Sequence, residues 1–482
     1  MNVWNEFKFL ESEMLSELFS FSCNIPLKNI GLQPNTINIF RGENYEIVIE
    51  AHGKGAKGHG HLNRNLKKGQ SIVGEDYEFQ FVNHKVILYK AIGNGLTING
   101  GGEFKLGLLV RRVSDETDLK EKIKTVTEYF VGCPEIQWSG HSERKMGKKA
   151  SLERGVSSKL IKHSLSSQSE SFSSDCAFLE NKYGKIVFSK FANEKNDKGS
   201  CYLEFDDAVT GIDKSYRENW AEALSFFIGK RLISVGFKNF TEQGWLKYQE
   251  AYSAYSPNFN REINSPALPP VGYWDQRGFN DDKKIGDLIE LYLENQTQLS
   301  LSDALEGMWV GKTMPIGLGL VAFSSSLEVL INAWFKLKKT KNSGLIVDEE
   351  EFNSKTSNWI ENFEKSIPSN DGWKSIVKKI KNSNFVVGSD KFKIFFKEIN
   401  LPTGPVEKTV IDSRHKMAHG GSLEGAELRK YILISRAYQT LISRVVLKVI
   451  GYSGKYIDYS TYDFPERNIN EPLGGPMGDG KI

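Results

Sequence analysis

The segment Val410-Ile411-Asp412-Ser413-Arg414-His415-Lys416-Met417-Ala418-His419-Gly420-Gly421 concentrates more chemistry-bearing residues than any other part of this chain. A histidine exchanges a proton near neutral pH, and an arginine five positions earlier is a permanent cation. Apolar Val410, Ile411, Met417 and Ala418 predict a helix, and the glycine pair predicts its C-terminal stop, so His419 falls in the last turn. On that helix positions 414 and 419 are about 140° apart with a rise of about 7.5 Å, and both border one groove. The helix C-terminus favours the imidazolium by roughly 0.3–1 kcal/mol and nearby Arg414 opposes it, which suits general acid–base work. A phosphate beside a 2′-hydroxyl would meet there a base for the hydroxyl proton and a cation for the phosphorane charge.

An arginine, a polar residue, three further residues and a histidine near a helix end in a C-terminal bundle resemble the motif of HEPN nucleases. Arg414-His415-Lys416-Met417-Ala418-His419 matches that pattern throughout. A β-rich N-terminal region followed by a helical domain with this motif resembles the ApeA family of anti-phage abortive-infection proteins. The resemblance implies metal-independent endoribonuclease activity without a cofactor, leaving a 2′,3′-cyclic phosphate, at a composite site between two protomers. It assigns phosphorane stabilisation to Arg414, proton transfer to His419 and orientation of the site to His415. It further implies RNA, a tRNA-type target included, a homodimer or higher homo-oligomer, a phage-derived trigger and a cytoplasmic setting.

Other readings compete with it. The motif also fits a solvated helix face without chemistry, and Asp412, His415 and His419 at i, i+3 and i+7 share a side that suits zinc. A non-catalytic HEPN-type dimerisation module that binds a ligand or RNA is the alternative of a different class. Glu328, inside an apolar run, is a possible auxiliary group. Lys416, Arg429, Lys430 and Arg436 are candidate RNA contacts, with Arg444 continuing the stripe. Gly307 to Thr313 resembles a phosphate-binding loop but has three residues between its glycines where four are needed. The glycine-rich run His52 to His61, followed by Arg64, Lys67 and Lys68, offers amides and cations to a phosphate or is a solvated loop.

These residues need a scaffold, and 482 residues favour more than one domain. The 63 basic and 60 acidic side chains nearly cancel, so any nucleic-acid surface must be local. Cys23, Cys133, Cys176 and Cys201 form no C-x-x-C pair, which fits buried thiols rather than a zinc ribbon. Residues 1 to 22 lack a basic leader and predict an amphipathic helix or strand. Gly317 to Phe335 is apolar, but Ser324 to Ser326 and Glu328 at its centre predict a core helix rather than a membrane span.

The predicted class is α+β, with a β-rich N-terminal region followed by an all-α bundle. Two-residue alternation predicts hairpins at 37–51 around Gly42 and at 77–89 around Asn83-His84, with strands at 104–110, 185–189 and 201–205. The basic, serine-rich stretch 140–175 predicts a long exposed loop, and Gly93 to Gly95 and Gly100 to Gly102 predict turns. Ser215-Tyr-Arg-Glu218 predicts a capping box for a helix near 216–229. Apolar spacing at Leu320, Phe323, Leu327, Leu330, Ile331 and Trp334, and at Leu428, Ile432, Tyr438, Leu441, Val445 and Val449, predicts core helices that also offer a dimer surface. The expected layout is 1–264 as a sensor region, 265–280 as a linker, 281–455 as the helical domain and 456–482 as a tail mobile at its tip.

Overall fold

The computed structural model describes residues 17–22, 32–41, 46–55, 77–81, 84–98, 103–117, 120, 122–136, 138, 140–146, 150–156, 159–164, 170–190, 199–206, 213–241, 246–254, 259–272, 274–275, 278–279, 282–338, 347–384, 388–418 and 426–482. The fold is α+β, with the sheet N-terminal to the helical bundle. The chain forms two compact units, Met1–Ala267 with Tyr273–Glu290, and Leu268–Gly272 with Leu291–Ile482. The expected linker is therefore shared between the units, 268–272 going with the second and 273–280 with the first.

The described strands of the first unit are β1 (Glu17–Ser22), β2 (Leu32–Arg41), β3 (Ile47–Gly55), β4 (Tyr77–Phe81), β5 (His84–Ile98), β6 (Glu103–Thr117), β7 (Ile123–Val131), β8 (Gly140–Met146), β9 (Ala150–Val156), β10 (Lys159–Ser164), β11 (Glu170–Asn181), β12 (Gly184–Lys190), β13 (Cys201–Asp206), β14 (Ile233–Thr241) and β15 (Leu246–Tyr252). They form one 15-stranded sheet in the order β1-β2-β3-β6-β15-β14-β7-β13-β12-β11-β8-β9-β10, with β5 pairing β4 and β6. Both expected hairpins are present, closing at Arg41↔Ile47 and Phe81↔His84. Two expectations are corrected. Residues 140–175 are not a long loop but hold the β8–β9–β10 meander and the start of β11. The serines and basic residues of this stretch carry no apolar alternation to read. Gly93 to Gly95 is not a turn either: it lies inside β5, where the register with β6 shifts, as a bulge requires. Gly100 to Gly102 and Cys23 lie outside the described residues, while Cys133, Cys176 and Cys201 are buried and in no disulfide.

Helix α1 (Lys214–Ile228) packs on this sheet. Its N-cap is Asp213, whose side chain accepts from the amide of Tyr216, so the expected capping box at Ser215 begins two residues late. Aspartate at that position satisfies a free amide of the first turn as well as serine does. Gly229 ends the helix in the left-handed region at φ 69°. Trp220, Leu224 and Phe227 are buried, and Arg217 meets Glu128 of β7 at 2.7 Å with its guanidinium stacked over Phe237 of β14. Helix α2 (Phe259–Asn264) follows β15. The short β16 (Trp274–Asp275) and β17 (Gly278–Phe279) pair with each other.

Helix α3 (Asp282–Asn295) crosses the partition between the units. Its first turns lie along β11, where Asp282 accepts from the amide of Phe178 at 2.8 Å and Asn181 donates to the carbonyl of Gly286 at 3.1 Å. A Cβ at Gly286 would stand 2.4 Å from the Glu180 carbonyl oxygen, so glycine is what permits this approach.

The second unit contains α4 (Leu301–Thr313), α5 (Ile316–Lys338), α6 (Glu349–Ser366), α7 (Asp371–Lys381), α8 (Gly388–Glu398), α9 (Pro405–Ala418) and α10 (Ala426–Val449), closed by β18 (Lys455–Ile457) and β19 (Glu466–Asn468). Helices α4 and α5 form a tight hairpin. A Cβ at Gly311 would lie 2.5 Å from the Phe323 ring, and one at Gly319 2.6 Å from the Gly311 carbonyl oxygen. The glycines that resemble a phosphate loop thus serve helix packing, in the middle and at the end of α4.

Leu320, Phe323, Leu327, Leu330 and Ile331 of α5 are buried as expected, and Phe323 stacks on Tyr438 of α10. By length and composition Ile316–Leu337 would cross a membrane, but half of its apolar window is buried inside the protein, as in a core helix. On α10 the buried apolar set is Tyr431, Ile434, Ala437, Tyr438, Leu441, Ile442, Val445, Val446 and Leu447. Leu428 and Ile432, expected in that set, are 40% and 38% exposed. Both expected dimer stripes are therefore mostly consumed by the unit's own core.

Candidate active site

Helix α9 carries Arg414, His415 and Lys416 in its last turns, and its described helical residues end at Ala418. His419, Gly420 and Gly421 lie outside the described residues. The start of α9 follows from its sequence. Gly404 precedes Pro405, which suits the first helical position because its missing N–H would have had no partner there. Two residues on, Glu407 accepts from the Gly404 amide at 2.8 Å and closes the first turn.

Val406, Glu407 and Val410 form the buried face of α9, which packs between α5 and α10. Seven residues are nearly two turns, so position 414 lies about 20° around the helix from Glu407 and about 10.5 Å further along. Position 415 follows exposed Lys408 by the same step, and position 416 follows Thr409. Asp412 is exposed. The expected helix and its register are thus present, and position 414 continues the face that carries Glu407.

Glu407 is the charged anchor of this helix, and its partner is Arg444 of α10. Their side chains are both 0% exposed, and Nη1 of Arg444 donates to Oε1 of Glu407 at 2.8 Å. Arg444 also donates through Nε to the Ile469 carbonyl and through Nη2 to the Pro402 carbonyl, each at 2.9 Å. Burial lowers the Arg444 pKa, while Tyr456 and Glu407 oppose the shift. Glu407 additionally accepts from the Leu473 amide at 2.8 Å. The expected stripe Arg429, Arg436, Arg444 is corrected accordingly. Arg429, Lys430 and Arg436 are exposed, but Arg444 is turned into the core because the C-terminal segment covers the last turns of α10.

That segment, 455–482, is folded over the bundle. Asp458 is fully buried and accepts from the Thr461 hydroxyl at 2.9 Å and the Gly474 amide at 2.7 Å, with Arg467 Nε 2.9 Å away. Ile457 and Tyr459 bond to the carbonyls of Pro270 and Pro269, and Tyr456, Ile469 and Leu473 are buried. The residues that fix α9 were thus missing from the sequence-level set. Their one local signal is a charge inside an apolar run, Arg444 within Leu441-Ile-Ser-Arg-Val-Val-Leu447.

Glu328 is exposed on α5, in a stripe with Val321 and Ser325 rather than in its buried seam. The glycine-rich run from 56 to 61 lies outside the described residues, while His52, on β3, is 3.6 Å from Glu50. No group of three or more His, Cys, Asp or Glu suited to a metal occurs among the described residues. No family model, curated protein or solved structure matches the chain.

Proposed function

We propose that this chain is a metal-independent endoribonuclease of the HEPN kind, acting in anti-phage defence by abortive infection, in the cytoplasm and as at least a dimer. Arg414 stabilises the phosphorane formed when the RNA 2′-hydroxyl attacks its adjacent phosphate, and His419 moves the proton. His415 orients the site, and Lys416, Arg429, Lys430 and Arg436 supply cations for the RNA backbone. The observation that supports this reading most is the seating of α9: its first turn is fixed by the buried Glu407–Arg444 pair, two turns before the arginine of the motif. A helix so anchored is a rigid carrier for reacting groups. Exposed Arg429, Lys430 and Arg436 on the adjacent helix agree with an RNA surface there.

The test is incubation of purified protein with total RNA, with and without EDTA, beside His419→Ala. Cleavage that persists in EDTA, spares DNA and disappears in the variant is the expected result. Zinc-restored activity after EDTA would favour Asp412, His415 and His419 as ligands. Folded protein that binds RNA without cutting it would favour the non-catalytic module.

A further inference from the structure

The C-terminal segment reaches α9 through two consecutive backbone amides. Leu473 donates to Oε1 of Glu407 on α9 at 2.8 Å, and the next residue, Gly474, donates to Oδ2 of Asp458 at 2.7 Å. One dipeptide thus joins the buried carboxylate of the motif helix to the buried carboxylate of the segment. Asp458 is surrounded by donors. Its Oδ2 also accepts from the Thr461 hydroxyl and lies near Arg467 Nε, each at 2.9 Å, and its Oδ1 accepts from the amide and hydroxyl of Ser460. Tyr456 sits among these groups: burial pushes its phenol pKa up, and the charges of Arg444, Asp458, Glu407 and Arg467 all act on it. The two ion pairs are therefore one cluster.

Holding the segment on the bundle does not by itself require these charges. Tyr456, Ile469 and Leu473 are buried apolar anchors, and Ile457 and Tyr459 bond to the carbonyls of Pro270 and Pro269. A buried ion pair adds little stability over apolar side chains of the same volume. What it adds is a single arrangement, because any slip leaves a buried charge or amide without its partner. The fit at Gly474 has the same character. A Cβ there would stand 2.1 Å from Arg467 Nη2 and 2.6 Å from Thr461 Oγ1, the side chains that flank Asp458. Elsewhere the segment makes ordinary surface contacts, such as the exposed one from Lys448 of α10 to Asn470 at 2.8 Å.

We propose that Asp458 is a positioning residue for the motif on α9: through Gly474 and Leu473 it fixes the seat of Glu407, and with it the place of position 414. The lever is short. Position 414 lies about 10.5 Å beyond Glu407 along the helix, so a tilt of about 6° at the first turn displaces it by about 1 Å. A displacement of that size at a reacting group costs about a hundredfold in rate. The role of Asp458 in catalysis rests on the nuclease reading above, whereas its hold on α9 is measurable without any cleavage.

The experiment is hydrogen exchange, with RNA-cleavage kinetics beside it, on the full chain carrying Asp458→Asn or Gly474→Ala, with Lys448→Ala as the control. Asp458→Asn puts an amide where the carboxylate accepts, and Gly474→Ala displaces Arg467 and Thr461 while the carboxylate stays, so either variant that folds decides the matter. Each should speed exchange of the α9 amides at least about tenfold, while those of α4, α5 and α10 stay within about threefold of wild type. In each, kcat should fall about ten- to hundredfold with KM unchanged, because exposed Arg429, Lys430 and Arg436 still meet the RNA. Lys448→Ala should change neither readout. Unchanged α9 exchange, exchange that rises equally through the bundle, a loss carried by KM alone, or an equal effect of Lys448→Ala would each overturn the proposal. Selective loosening of α9 in a chain whose wild type cuts no RNA would uphold the hold of Asp458 on the helix and refute the nuclease reading.

Discussion

Glu407 and Arg444 meet at 2.8 Å with neither side chain exposed, and the same glutamate accepts from the amides of Gly404 and Leu473. Removing one member of such a pair strands the other as a buried charge, at a cost of about 3–5 kcal/mol. Arg444→Met and Glu407→Gln should each lower the unfolding free energy of the helical unit by that order, as read from denaturant titrations. The double variant should lose clearly less than the sum, because Gln keeps a carbonyl acceptor for both amides and no charge is left alone. Additive losses would show that the two side chains act independently.

The glycines of α4 and α5 separate two kinds of close contact. A Cβ at Gly311 would press on the Phe323 ring and one at Gly319 on a backbone carbonyl, whereas one at Gly307 would press on the Ser326 hydroxyl, with the Ala322 carbonyl oxygen and the Ser326 Cβ each at 3.4 Å. Alanine is the better helix former by about 1 kcal/mol, and overpacking costs about 1–3 kcal/mol. Gly311→Ala and Gly319→Ala should therefore lower the thermal midpoint, while Gly307→Ala should be close to neutral, since a hydroxyl can rotate away. Equal effects at all three positions would contradict the packing account.

The apolar periods that make this hairpin are plainly visible in the sequence, as are the β2–β3 and β4–β5 hairpins, because each is written by near neighbours. The meander at 140–175 is not, since its serines and basic residues carry no alternation of apolar side chains. Leu428 and Ile432 show the limit of a periodic reading: the spacing is helical, but tertiary contacts decide that the buried stripe starts at Tyr431. Arg444 reads as one more cation on a basic helix until Glu407 and Ile469, distant in sequence, close around it. The motif was legible as a helix with a defined register, and its histidine lies beyond the described residues.

Glu128 supplies a pH test of the sheet unit. Burial pushes its carboxyl above the ordinary value of 4.5, and the charge of Arg217 and the Ser234 hydroxyl only partly oppose this. The folded state thus holds the proton more tightly than the unfolded chain, and the contribution of Glu128 is fully present below 4.5 and is lost as pH rises through the raised value. Glu128→Gln removes that dependence. The stability of wild type relative to this variant should fall as pH is raised from 4.5, in urea titrations of both proteins at matched pH. A wild-type advantage that grows with pH would mean that Arg217 outweighs burial.

The last prediction concerns the number of motifs that one cleavage event needs. In-line attack by a 2′-hydroxyl requires a base for the nucleophile, a proton donor for the leaving oxygen and a cation for the phosphorane, and proton transfer from a positioned side chain is worth about 10²–10⁴-fold. One motif offers Arg414 and His419, and a second motif across a two-fold axis supplies the other proton carrier. Arg414→Ala and His419→Ala should each lower cleavage by at least about a hundredfold without loss of helical signal. In an Arg414→Ala/His419→Ala heterodimer, one intact arginine and one intact histidine come from different chains. The mixture should then cut RNA faster than either protein alone. Wild-type activity from a chain that stays monomeric at nanomolar concentration would exclude the shared site. Full activity of the folded double variant would remove this helix from the chemistry altogether.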